Sequence, residues 1–234
     1  MIGTLINTAA ILLGGSLGTV FGRTLKEKTR ETIVIGIGLF TIALAVTMFL
    51  ESNNSLIVLG GVLLGGLIGE YFKIEDRINH LGERLESRFS KDSGKTIKGD
   101  FVRGFLTSSV LFCTGPMAIL GAIQDGLLGD YQLLAIKSVM DGFAAFALAS
   151  TLGMGVLFSA AMVFLYQGFF SLLAVQFQTL MTADMIAELT ATGGILLIGL
   201  AISSLLEIKP IRISNFLPGL VISPLIVYLI SLFT

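Results

Sequence analysis

The stretch "LINTAAILLGGSLGTVFG", residues 5–22, contains no charged side chain and is almost entirely apolar. With the residues before it, this stretch reaches the ~20 apolar residues that a helix needs to cross a bilayer. The whole chain has the same character, because 54% of its 234 residues are hydrophobic and only 13% are charged. Soluble domains average about 25% charged residues. The composition therefore predicts an all-α integral membrane protein whose main partner is the lipid bilayer.

Windows of the same kind recur along the chain and predict a bundle of about eight transmembrane helices in a single transmembrane domain. The predicted spans are residues 2–22, 32–50, 55–72, 101–123, 132–150, 153–176, 185–206 and 214–233. The fifth and sixth spans are divided only by the short segment "STLG".

The distribution of charge supports eight spans and predicts an orientation. Every Lys and Arg except Lys137 falls in or next to the loops that follow spans one, three and seven. With eight spans these loops share one side, and the opposite loops carry acids instead: Glu51, Asp125, Asp130 and Asp184. The positive-inside rule then predicts a bacterial inner-membrane protein with both termini outside the cytoplasm.

The loop at 73–100 is the largest polar segment. Apolar residues at helical spacing predict an amphipathic helix at the cytoplasmic interface or packed on the bundle: Ile74, Ile78, Leu81, Leu85 and Phe89. The segment "SGKT" at 93–96 resembles the end of a phosphate-binding loop, but Phe89 occupies the position of the required first glycine. We therefore expect no nucleotide site, no nucleic-acid partner and no cofactor, and we assign no metal to His80.

Glycine motifs recur in spans one and three. "LLGGSLGTVF" at 12–21 aligns with "LLGGLIGEYF" at 63–72, and span seven, "TGGILLIGLAISSLL", has a related pattern. All three spans run in the same direction, so one interpretation is a duplication with parallel internal repeats. The other is convergence, because helices rich in Leu and Gly look alike. Small residues at four-residue spacing predict close packing faces, either within the chain or between the subunits of a homodimer.

The stretch "CTGPMAILGAIQDG", residues 113–126, interrupts the fourth span. Pro116 has no N–H for the carbonyl of Phe112, and Gly115 weakens the helix further, so the sequence predicts one helix broken at Gly115-Pro116. A carbonyl freed in a bilayer must find another partner. Gln124 and Asp125 follow the break and are candidates for the same polar region.

Lys137 and Asp141 lie four residues apart in the fifth span, on one face of the helix. Asp141 is expected about 12 Å from the outer edge, where a charged group by default marks a functional site. Asn7 and Gln167 fall at similar depths. These residues together predict a substrate or ion site of Asp141, Lys137, Asp125, Gln124, Gly115, Pro116, Asn7 and Gln167. The alternative is a neutralised structural pair at Lys137–Asp141, with Asn7 and Gln167 as amides that bridge helices.

The segments "GPMAILGAIQDGL" and "KSVMDGFAAFALASTLGMGV", with the opening "LINTAAILLGGSLG", resemble the bacterial membrane proteins grouped as domain of unknown function 554. The resemblance covers essentially the whole chain. It implies an inner-membrane protein with a transport function and leaves the substrate open.

The residues therefore favour a secondary transporter of a small ion or solute that uses Asp141 and Lys137 beside the helix break. The alternatives are a channel, and a scaffold or sensor that acts through residues 73–100. An intramembrane enzyme is not expected, because the sequence has no HExxH motif and no Ser/His or Cys/His pair that suggests a nucleophile.

Overall fold

The computed structural model describes residues 1–22, 24, 26–80, 100–113, 116–176 and 181–232, and all the regular secondary structure within them is helical. The helices are α1 (Ile2–Gly22), α2 (Glu27–Phe49), α3 (Ser55–Tyr71), α4 (Ile74–His80), α5 (Asp100–Cys113), α6 (Pro116–Leu128), α7 (Gln132–Leu152), α8 (Gly155–Leu172), α9 (Ala183–Leu200) and α10 (Gly219–Ser231). A π-helical turn at Ala201–Leu205 continues α9, and a 3-10 turn at Ile213–Phe216 precedes α10.

The number of candidate spans agrees with the sequence. Six stretches of the described chain are each long and apolar enough to cross a membrane, namely α1, α2, α7, α8, α9 and α10 with its preceding turn. Two bent pairs raise the number to eight, α3 with α4 at 60° and α5 with α6 at 61°. The prediction of an all-α bundle of about eight spans is confirmed.

Two interruptions of the chain lie where the sequence places them. Helix α5 ends at Cys113 and α6 begins at Pro116, a position where the missing N–H of proline leaves no intrahelical bond unmade. Gly115 lies outside the described residues. The division between the fifth and sixth spans is a turn after Leu152, and Gly153 adopts a φ of 72° there. Glycine suits this turn because that backbone conformation strains other residues.

The glycines of α1 pack against α7. A Cβ atom on Gly14, Gly18 or Gly22 would lie 2.1, 2.2 or 2.1 Å from a carbonyl oxygen of α7, at Gly142, Phe146 and Ser150 respectively. The residue numbers rise together, so α1 and α7 run parallel. Close backbone contact of this kind replaces the hydrophobic drive that lipid does not supply.

The glycines of α3 pack in the same way against the C-terminal part of the chain. Gly61 faces Ser223, Gly65 faces Gly219 and Gly69 faces Asn215, so α3 and α10 run antiparallel. Parallel first and fifth spans and antiparallel third and eighth spans are what eight alternating crossings require. Both glycine faces therefore pack against other helices of the same chain. They do not supply a dimer interface, and the homodimer stays a prediction.

The predicted amphipathic segment is described only up to His80. Ile78 of α4 packs against a buried apolar cluster of the bundle, whose members include Leu106 and Leu197. Of the apolar residues that predicted this helix, Leu81, Leu85 and Phe89 lie outside the described residues, so the length of the amphipathic helix stays a prediction.

Candidate functional site

Two clusters of buried apolar side chains fill the bundle around α7. We call the first the Met1-side cluster, because it lies on the side where α1 begins; it consists of Ile119, Ala122, Ile123, Leu134, Phe170, Ala174, Ile186 and Leu189. The second, the Arg103-side cluster, includes Ile11, Cys113, Ala145, Leu148, Leu152, Val156 and Val163. The buried polar side chains of the candidate site lie between them.

Two helices have residues in both clusters, and polar residues lie between those residues along each helix. Helix α7 passes from Leu134 to Ala145 through Lys137 and Asp141, and α8 passes from Val163 to Phe170 through Gln167. In α1, Asn7 lies one turn from Ile11 of the Arg103-side cluster. We call Asn7, Lys137, Asp141 and Gln167 the polar layer.

The break in the fourth span lies in the same interval. Cys113, the last residue of α5, belongs to the Arg103-side cluster, and Ile119 of α6 belongs to the Met1-side cluster. The chain therefore passes the level of the polar layer where α5 has ended and α6 begins. Phe112 reaches the layer directly, because the Lys137 ammonium lies 5.9 Å from the centre of its ring.

The charges of the polar layer form a compact group. The Lys137 ammonium pairs with Asp141 Oδ2, and Asn7 Nδ2 donates a hydrogen bond of 3.0 Å to the same oxygen. The side chains of Lys137 and Asp141 are 7% and 9% exposed, and Asn7 is fully buried. Asn7, Lys137 and Asp141 are thus brought together as predicted, with a net charge of zero.

Several buried polar atoms of α1 and α8 have no hydrogen-bond partner within the described chain. They are Thr4 Oγ1, Asn7 Oδ1, Gln167 Nε2, Gln167 Oε1 and Ser171 Oγ. A buried polar atom without a partner costs free energy, and native proteins leave few of them. The polar layer therefore has hydrogen-bonding capacity that the described protein groups leave unused.

Gln167 enters the layer from the Met1 side. Gly168 lies opposite Met1 and Gly15 opposite Leu157, so α8 runs antiparallel to α1. These two contacts put the Gln167 backbone ~3 to 8 Å from the level of Asn7 along the helix axis. Side chains of a helix lean toward its N-terminus, which in α8 is the direction of Asn7.

Asp125 lies one turn from the layer. Its Oδ2 accepts a 3.0 Å hydrogen bond from the Gly3 N–H, and Oδ1 lies 3.0 Å from the Met1 amine. A buried carboxylate at this place satisfies backbone donors in the first turn of α1. Gln124, the residue before it, is half-buried. The predicted connection of Asp125 to the site therefore passes through α1 and not through contact with Asp141.

Sequence reasoning overlooked Glu188, a carboxylate buried in α9. Its oxygens accept hydrogen bonds from Ser52 Oγ at 2.7 Å, the Asn53 N–H at 2.9 Å and the Asn54 N–H at 2.8 Å. Glu188 thus holds the loop between α2 and α3. The available signal was an acid four residues inside an otherwise apolar span, the same signal that identified Asp141.

A second overlooked group joins α3 and α4 to the turn before α10. Asn215 Nδ2 donates to Glu70 Oε2 at 2.6 Å, and Asn215 Oδ1 accepts from the Glu75 N–H at 2.8 Å. Glu75 Oε2 accepts from the Ser214 N–H at 2.9 Å. These bonds fix the bend between α3 and α4 on the bundle. Among the described residues, no group of three or more His, Cys, Asp or Glu side chains is placed to hold a metal ion.

Comparison with known proteins gives a consistent family assignment. The family described as "Protein of unknown function (DUF554)" matches residues 2–228. The chain belongs to this family. It is 32% identical over 237 residues to "Uncharacterized membrane protein YdfK" of Bacillus subtilis (strain 168), which covers 100% of this chain and 98% of that protein. It is 30% identical over 223 residues to "Uncharacterized protein YqgA" of Escherichia coli (strain K12), covering 95% and 94%. No solved structure matches it.

The resemblance to this family inferred from the sequence is confirmed. The Bacillus subtilis relative is named as a membrane protein, and this chain has six to eight helices that could cross a membrane. Together these findings identify a multi-pass membrane protein.

Proposed function

We propose that this protein is a secondary transporter of a small ion or solute, with its substrate site in the polar layer around Lys137 and Asp141. One observation carries the proposal: a buried ion pair and unpartnered amide atoms lie between two apolar clusters, about halfway along α7. Charged groups in the middle of a membrane bundle are costly and usually functional.

The two clusters favour a transporter over a channel. Leu134 and Phe170 of the Met1-side cluster lie on one side of the layer, and Ile11 and Val163 of the Arg103-side cluster lie on the other. A channel needs a continuous polar path, whereas an alternating-access protein passes through a state in which the site is closed on both sides. The break between α5 and α6 adjoins the layer and supplies a place where the bundle can bend.

The same reasoning places the protein in its membrane. We infer a bacterial inner-membrane location with both termini outside the cytoplasm, because the basic residues other than Lys137 lie near the ends of spans on one predicted side. A scaffold or sensor acting through residues 73–100 remains the alternative, and the expectation that the protein is not an enzyme stays a prediction.

Thiol labelling tests the proposal without knowledge of the substrate. Cys113 is the only cysteine, so Cys113→Ala gives a background without thiols. Gln167→Cys then places one thiol in the polar layer, and Val163→Cys places one in the Arg103-side cluster, one turn away on the same helix. Membrane vesicles of both orientations are treated with a small membrane-impermeant methanethiosulfonate reagent.

A transporter predicts that Gln167→Cys reacts from both sides of the membrane and that Val163→Cys is protected from at least one. Planar bilayer recordings of the same protein are expected to show no single-channel steps, which separates a transporter from a channel. Protection of Gln167→Cys from both sides contradicts a substrate pathway through the layer and favours the scaffold.

A further inference from the structure

We propose that the ligand of the polar layer is a small zwitterion that carries an ammonium group and a carboxylate, the charge pattern of a free amino acid. The inference rests on the proposed function, because it names the substrate class of the same site. It is carried by the charge balance of the layer and by the unpartnered polar atoms of α1 and α8.

The charged groups of the polar layer sum to zero. Lys137 and Asp141 neutralise each other, and the other buried acids of the described chain are engaged elsewhere, Asp125 with the beginning of α1 and Glu188 with the loop at 52–54. A ligand with net charge would leave the site with an uncompensated charge between two apolar clusters, which is expensive. A neutral ligand avoids that cost.

Simple ions also compete poorly for the two charged groups. Asp141 Oδ2 already accepts from Lys137 and Asn7, so a cation that binds the Asp141 carboxylate must lie close to the positive Lys137 ammonium. An anion must approach Lys137 beside the Asp141 carboxylate. A zwitterion exchanges the pair instead: its carboxylate takes Lys137, its ammonium takes Asp141, and each protein charge keeps an opposite partner.

The unpartnered atoms match the same ligand. Asn7 Oδ1 belongs to the amide that binds Asp141, so an ammonium beside Asp141 finds a second acceptor there. Gln167 of α8 has both an unpartnered acceptor and an unpartnered donor, which are the two kinds of group that the charges of a zwitterion bind. Thr4 and Ser171 add hydroxyl groups toward the Met1 side.

The walls of the layer restrict the ligand to a small one. On the Arg103 side of Asp141, the backbones of α1 and α7 are in contact, with Gly14 packed on the Gly142 carbonyl. On the Met1 side of Lys137, Leu134 packs against both Gly3 and Gly121. The space in which a ligand can bind to both Lys137 and Asp141 therefore extends over about two helical turns of α7.

A matched set of probes tests the charge pattern. Thermal unfolding of the purified full chain in detergent is measured with each common L-amino acid. The amino acid that gives the largest rise in Tm is then compared with its carboxamide, which is a cation, and its N-acetyl derivative, which is an anion. NaCl, KCl, MnCl2 and sodium acetate are measured in parallel.

At least one free amino acid is expected to raise Tm by a few degrees at saturation, and its two derivatives to bind at least about tenfold more weakly. The shift is expected to disappear in Asp141→Asn. The double variant Lys137→Gln/Asp141→Asn, which leaves no unpaired charge, is a folded control in which it is also expected to disappear.

Three results overturn the inference: no shift with any amino acid, an equal or larger shift with a derivative or a simple salt, or a shift that survives in the double variant. None of these results decides whether the protein is a transporter, because the labelling of Gln167→Cys tests that proposal separately. If that thiol reacts from both sides while amino acids give no shift, the protein transports another class of solute.

Discussion

Lys137 and Asp141 each depend on the other for charge compensation inside the bundle. Removing one partner of a buried ion pair typically costs about 3–5 kcal/mol, because the remaining charge stays buried, whereas removing both together often costs little. We therefore expect Asp141→Asn to lower the free energy of unfolding strongly and Lys137→Gln/Asp141→Asn to recover most of the loss. Unfolding in mixed micelles measures both variants.

The exposed ion pair between Arg212 and Glu70 provides the control. Its side chains are 66% and 60% exposed, so Arg212→Gln is expected to cost less than about 1 kcal/mol from the lost pair. A double variant as unstable as Asp141→Asn would show that Lys137 and Asp141 are not coupled.

Gln167 is expected to trade stability for function. Its buried amide has no partner for either polar atom, so Gln167→Leu removes a desolvation cost of about 1–3 kcal/mol without breaking a hydrogen bond between described groups. We expect a higher Tm together with loss of ligand binding. Ser159→Ala is the matched control on α8, because Ser159 Oγ already donates to the Val156 carbonyl at 2.6 Å and its removal brings no such gain. A Gln167→Leu variant that is less stable than the original chain would mean that the amide has a structural partner.

At the scale of the elements, the contact between α1 and α7 depends on the absence of side chains. A Cβ on Gly18 would lie 2.2 Å from the Phe146 carbonyl oxygen, and backbone cannot move aside cheaply. Overpacking of this kind costs about 1–3 kcal/mol, so Gly18→Ala is expected to lower Tm. Gly36 of α2 has open space where its Cβ would stand, and Gly36→Ala is the matched control, expected to be neutral or slightly stabilising. Equal effects of the two substitutions would argue that α1 and α7 are not in backbone contact.

The loop between α2 and α3 depends on a single carboxylate. Glu188 accepts two backbone N–H groups and one hydroxyl there, and hydrogen bonds to a charged group are worth about 1.5–3 kcal/mol each. We expect Glu188→Ala to destabilise the protein by about 3 kcal/mol and to increase hydrogen exchange at Asn53 and Asn54. Asp184→Ala, which removes only an exposed contact to Asn53 Nδ2, should leave that exchange unchanged. Unchanged exchange in Glu188→Ala would show that the loop is held by other contacts.

At the scale of the whole molecule, the sequence predicted what depends on local composition. Each span is defined by its own apolar residues, and the helix break by the chemistry of Pro116, so both were readable along the chain. The Lys137–Asp141 pair was also readable, because its members are four residues apart. The contacts of Asp125 with Gly3 and of Glu188 with Ser52 join residues 122 and 136 positions apart. No periodicity encodes such pairings, so the partners of Asp125 were not predicted and Glu188 was overlooked.

The orientation of the bundle is the property that the internal contacts leave open, because they are the same whichever side faces the cytoplasm. The positive-inside rule predicts that Lys209 lies inside and that Asp130 and the C-terminus lie outside. We expect alkaline phosphatase to be active when fused after Asp130 or after the last residue, and inactive when fused after Lys209. Green fluorescent protein at the same three points should give the reverse pattern. Activity exchanged at all three points would invert the bundle and place both termini in the cytoplasm. Opposite results at Asp130 and at the C-terminus would contradict eight spans, because an eight-span chain has four crossings between the two points, α7, α8, α9 and α10, and an even number returns the chain to the same side.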